Sequence, residues 1–164
     1  MHWDDMISGL VASLSEEPRK FVVAFARFEF GLKMQDDHPF LQKRSGVFTD
    51  WDSVSQAFGE DFFKVVRTDP VASYLIDWPP MGLVKVRGGV TFRYEKTDIS
   101  TVRQLFGALV EARNNFFHGM KPSLDRGDVD VLRAANATLR LAYEWAKNHK
   151  DIKMQMIAHR MAYA

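Results

Sequence analysis

An arginine, two asparagines and a histidine crowd the stretch "RNNFFHGMK", where Arg113, Asn114, Asn115 and His118 occupy the final turns of an amphipathic segment. These residue types suit anion binding and proton transfer. A guanidinium keeps its charge and presents five donors in a fixed fork. An imidazole titrates near neutrality. Asparagine is a poor helix-interior residue, so two in succession point to a hydrogen-bonding duty. On a helical wheel at ~100° per residue, Val102, Leu105, Phe106, Leu109 and Val110 define an apolar face that Phe116 and Phe117 continue. Arg113 falls near the middle of that face, with Asn114 at its edge and His118 about 40° further round. A guanidinium there needs a carboxylate, carbonyls or a bound anion.

A purely structural account uses the same residues. Glu29, beside Phe25 and Phe28 on an earlier helix, is the best-placed acid to pair with Arg113, and such a pair sets helix register without any chemistry. A histidine near a helix C-terminus is favoured electrostatically with no catalytic role. The residue pattern alone leaves both accounts open.

Several elements must position this cluster. A weak helical pattern covers residues 3–14. From Glu17, with Pro18 in a first turn, Phe21, Phe25, Phe28 and Leu32 repeat at helical spacing until Asp36, Asp37, His38 and Pro39 close the segment. After a loop containing "KRSG", Trp51, Val54, Phe58, Phe62 and Val65 predict a second helix, with Asp50 or Asp52 as its N-cap. A short helix fits "DPVASYLI" before "WPPMG" stops it. The period then changes: Val90, Phe92 and Tyr94 alternate with Thr91, Arg93 and Glu95 after an Arg-Gly-Gly turn, the pattern of a β-hairpin. Thr101 with Gln104 forms a capping-box pair opening the helix that ends at Gly119. A long helix starts near Asp128 and buries Leu132, Ala135, Leu139, Ala142 and Ala146. Residues 150–164 either extend that helix or lie along a partner. The sum is one domain over 1–164, an all-α helical bundle with a small β-hairpin appendage.

Composition narrows the chemistry. A chain of 164 residues with 46% apolar content is long enough to bury a core. A net charge of +1 argues against gripping long nucleic acid mainly by charge, while leaving room for a small, locally basic footprint. The absence of cysteine rules out disulfides, thiol nucleophiles and Cys-ligated zinc, and it fits a cytoplasmic protein. The first residues carry acids where a signal peptide carries bases, and no apolar run approaches the ~20 residues that span a bilayer. No metal site is expected: His2, His149 and His159 lack ligand spacing, and Asp36, Asp37 and His38 before a proline make a turn. Lys85, Arg87 and Arg93, interleaved with Phe92 and Tyr94, either bind RNA or form the solvated face of a half-buried hairpin.

The string from Arg113 to His118 resembles the Rx4H ribonuclease motif of the HEPN superfamily. "RNNFFHGMK" is similar to the form in a prokaryotic branch typified by plasmid-encoded proteins, and "RFEFGLK" at 27–33 and "DWPP" at 77–80 resemble the same branch. The resemblance implies a HEPN-like bundle that forms a homodimer with its motif helices facing across a two-fold axis. It also implies a metal-independent endoribonuclease without cofactor, acting on RNA as a toxin or anti-phage defence effector, with an antitoxin protein as partner in some systems and no membrane association. Under it, Arg113 and His118 are the catalytic pair with Asn114 beside them. Lys121 and Arg126 add positive charge for the RNA strand, and Glu29 supports Arg113. The alternative is a non-catalytic HEPN-like dimer that binds a partner protein or a nucleotide in the same cleft.

Overall fold

The computed structural model describes residues 8, 9, 12, 15–43, 48–87, 89–93, 98–117 and 124–163. Their elements are α1 (Glu16–Lys33), α2 (Trp51–Thr68), α3 (Tyr74–Asp77), β1 (Gly82–Val86), β2 (Gly89–Arg93), α4 (Val102–Phe117), α5 (Arg126–Lys147) and α6 (Ile152–Tyr163). The fold is an all-α helical bundle. Beside it, β1 and β2 pair antiparallel, with Gly82 opposite Arg93 and Val86 opposite Gly89. The expected helix over 3–14 lies mostly outside the described residues, and so do Tyr94, Glu95 and Gly119.

Helix α1 forms because its apolar residues recur at three and four positions. Pro18, Phe21, Phe25, Phe28 and Leu32 are all buried on one stripe. Past Lys33 the chain turns sharply, and Asp37 and His38 both take positive φ, so the acid–histidine run is a turn. Gln35, buried in that turn, donates to the Gly31 carbonyl at 2.7 Å. Asp50 then caps α2, its Oδ1 accepting from the Asp52 and Ser53 amides and its Oδ2 from the Ser53 hydroxyl at 2.8 Å.

One glycine kinks α2. Gly59 sits at φ 72° and ψ 169°, a region that side chains other than hydrogen rarely enter, and it divides the helix in two. The buried stripe Val54, Phe58 and Phe62 ends on Val66 and not on the expected Val65. Val65 is solvent-facing while Phe63 and Val66 are buried. The same break delivers Glu60 to the start of α4, where both carboxylate oxygens lie 3.3 Å from the Val102 amide. An anion at that helix end satisfies an orphan donor and the helix dipole together. Thr101 completes the start: its hydroxyl accepts from the Gln104 amide at 3.2 Å. The Gln104 side chain reaches back one residue further than a capping box requires, to the Ser100 amide.

The core is built around Phe106 of α4, which is fully buried. Its ring stacks on Phe28 at 6.0 Å and 10°, and on Phe62 at 6.0 Å and 18°. Phe58 meets it edge-on at 5.1 Å, and Trp51 lies at 6.0 Å. Rings from α1, α2 and α4 thus converge on one side chain. Leu132, Ala135, Leu139, Ala142 and Ala146 of α5 are buried as their spacing requires. That helix begins at Arg126, two residues before Asp128. Its cap is Asp125, whose Oδ1 accepts from the Asp128 amide at 2.9 Å while Asp128 Oδ2 accepts from the Asp125 amide.

The last residues neither extend α5 nor stand away from the bundle. The chain breaks at Asn148, and Asp151 accepts from the Lys153 amide to start α6, which buries Met154, Ile157 and Ala158. Gly31 of α1 makes this packing feasible. A methyl there would stand 2.8 Å from the Ile157 carbonyl oxygen and 3.1 Å from Met161 Cγ. No helix among the described residues is long and apolar enough to cross a membrane.

Candidate active site

Arg113 emerges from the third quarter of α4 toward α1. Its guanidinium carbon lies 5.4 Å from the Phe25 ring centroid, a cation–π placement. Nη2 stands 3.5 Å from Glu29 Oε1, and the same oxygen lies 3.6 Å from Lys33 Nζ. Both contacts are long for charge-assisted hydrogen bonds, which typically close to ~2.7–2.9 Å. One carboxylate is therefore shared loosely between two cations, and the cluster carries a surplus positive charge. The three side chains keep roughly a quarter of their surface, from 21% for Glu29 through 27% for Arg113 to 35% for Lys33. Arg113 Nε is buried without a hydrogen-bond partner among the described residues. The guanidinium thus lies on an apolar ring, held by one distant oxygen, with donor capacity to spare.

Of the residues singled out from the sequence, the structure brings Arg113 and Glu29 together. Asn114 is partly buried on the next position of α4, and Arg126 is exposed at the first turn of α5. Neither is bonded to Arg113 or Glu29 among the described residues. His118 and Lys121 lie outside the described residues. Of the hairpin cations, Arg87 is exposed at the turn. Lys33 is a further member of the cluster, and its sequence signal is its position four residues after Glu29 on one helix.

Asn115 has a separate task. Its amide nitrogen donates to the Met81 carbonyl at 2.6 Å, tying the end of α4 to the segment after α3. The chain enters α3 from a turn made by Asp69. Its Oδ1 accepts from the Val71 and Ala72 amides at 2.9 and 2.8 Å, and its Oδ2 faces Arg140 at 3.3 Å. The Ala72 amide, followed by the Val71 amide and the Arg140 charge, holds the Asp69 carboxyl below its ordinary value of 3.8. A carboxyl lowered on folding stabilises the fold above its unfolded value, and that stabilisation is lost as pH falls through the folded value. The stability gap between wild type and Asp69→Asn is expected to be widest at neutral pH and to narrow as the pH drops below 3.8. Urea unfolding across that range measures it, and a gap independent of pH would contradict the assignment.

Between Trp78, the two prolines after it, the end of α4 and the start of α5 lies a cavity of about 380 Å³. Ala112, Asn115 and Phe116 form its α4 wall, so the turns that carry Arg113 on one side carry this cavity on another. Helical periodicity does not report such a cavity. Its signal was a tryptophan beside Pro-Pro, with Trp78 left 56% exposed. No family model, curated protein or solved structure matches the chain.

Proposed function

We propose that the chain is a metal-independent endoribonuclease of the HEPN type that acts as a homodimer. The observation that carries this reading is the state of Arg113, a half-buried guanidinium whose carboxylate partner is shared, distant and outnumbered by cations. A cation fixed only for helix register would be expected to close tightly on its acid, whereas one kept for an incoming anion retains free donors.

In the proposed reaction the 2′-oxygen of RNA attacks the adjacent phosphorus and the bond to the 5′-oxygen breaks. A 2′,3′-cyclic phosphate and a 5′-hydroxyl result. One proton leaves the 2′-hydroxyl and one reaches the departing oxygen. His118 performs one of these transfers, and a two-fold partner supplies the second imidazole. Arg113 holds the non-bridging oxygens and stabilises their growing charge. Asn114 orients the imidazole or phosphate, and Lys121 and Arg126 attract the strand. A toxin or defence role in the cytoplasm, with an antitoxin protein as a further partner, belongs to the same proposal.

The second reading, a HEPN-like dimer that binds a protein or nucleotide without cleaving, shares the cluster. The test is direct. Purified protein in excess EDTA is expected to cut single-stranded RNA and leave cyclic phosphate ends. Intact RNA after prolonged incubation with the dimer would remove the ribonuclease reading in favour of the binding one.

A further inference from the structure

We infer that the cavity beside α4 receives an unstacked, amino-bearing nucleobase of the RNA strand. The inference rests on the ribonuclease reading for its source of bases, and on the cavity's own chemistry for its selectivity. At about 380 Å³ the cavity falls within the ~300–1,000 Å³ typical of small-ligand sites. Its walls are mostly apolar, and Trp78 presents an exposed indole at the rim. Tyr74 also lines the cavity, its ring centroid 6.5 Å from that of the indole and the planes tilted by 30°. Bases freed from a single strand stack on such aromatic faces, and stacking is tolerant of sequence.

Selectivity comes from the polar groups. The charged side chains lining the cavity among the described residues are the carboxylates of Asp125 and Asp128, while Arg126 between them is exposed and does not line it. A phosphate is therefore repelled from the interior and stays outside, near the Arg113 side of the helix. A carboxylate accepts N–H bonds and donates none when ionised. It matches the exocyclic amino group of adenine, cytosine or guanine, as carboxylates do when they accept from cytosine in a groove. Uracil has no exocyclic amine, and its one edge donor, N3–H, is flanked by two carbonyl oxygens that the carboxylate repels, so it is disfavoured. Asp125 is suited to this duty because capping α5 engages its Oδ1, leaving further lone pairs on the carboxylate. Asn115 couples the cavity to the motif, since its bond to the Met81 carbonyl joins the cavity wall to the helix that carries Arg113.

Saturation-transfer NMR with adenosine and uridine on the full chain tests this without requiring cleavage. Adenosine is expected to give a signal about fivefold stronger than uridine, the discrimination of roughly one hydrogen bond. Trp78→Ala should abolish it, and Arg113→Ala should leave it intact. Asp125→Asn keeps a competent N-cap and should bring the two nucleosides toward equality, which covers the case in which Trp78→Ala does not fold. Equal signals from both nucleosides, or a folded Trp78→Ala that binds adenosine as well as wild type, overturn the inference. So does silence from both, which would assign the cavity to an apolar protein side chain instead. Adenosine binding retained in a protein that never cleaves RNA overturns the ribonuclease reading and leaves the cavity assignment standing.

Discussion

His118→Ala is expected to slow RNA cleavage by ~10²–10⁴-fold, the usual contribution of a positioned proton-transfer group. Arg113→Ala is expected to slow it by a further independent route, about 10²–10³-fold, as for loss of a transition-state donor. Arg113→Lys should recover little, because a point charge does not reproduce the planar fork that grips two phosphate oxygens. Stability is the control. The Glu29 contact at 3.5 Å is long and partly exposed, so Arg113→Ala should cost no more than about 1 kcal/mol from the ion pair. If Arg113 served only to hold α4 on α1, the pattern would invert, with a clear loss of stability and undiminished cleavage. Single-turnover rates beside urea unfolding of each variant decide between the two. Unchanged cleavage by a folded His118→Ala protein would end the catalytic proposal.

Phe106→Ala is expected to lower unfolding free energy by ~3–5 kcal/mol, the cost of emptying a large buried aromatic site. Phe106 is fully buried and meets Phe28, Trp51, Phe58 and Phe62, so three helices lose a shared contact at once. Against a typical total of ~5–15 kcal/mol, that loss is large enough to unfold a marginal protein. Phe106→Leu retains part of the volume and should cost less. Urea midpoints and slopes measured together separate lost stability from a looser native state. A loss under about 1 kcal/mol for the alanine variant would show that the stacked rings are not the centre of the core.

Helix positions and buried stripes were largely legible because periodicity reports them directly. Phe21, Phe25, Phe28 and Leu32, and the leucine–alanine stripe of α5, are buried where the spacing puts them. Asp50 was readable as a cap because a short acceptor before an apolar repeat has few other uses. The kink in α2 was not legible. Gly59 lies inside a continuous apolar repeat, and its φ of 72° is a backbone state that spacing does not report. The return of α6 was equally hidden, since it depends on close approach at Gly31 to a backbone oxygen more than a hundred residues later.

For the site, the sequence determined that a permanent cation stands on the apolar side of α4, with amides and an imidazole on the following turns, because helical geometry assigns faces by spacing alone. Tertiary structure decided what that cation meets. Packing α1 against α4 sets the Phe25 ring beneath Arg113 and makes Glu29 divide its charge with Lys33. It also decided that the Trp78 segment leaves a cavity against the same helix, bounded by the start of α5. A wheel drawn on one helix contains no information about distances to another, and both features are distances between helices far apart in the chain.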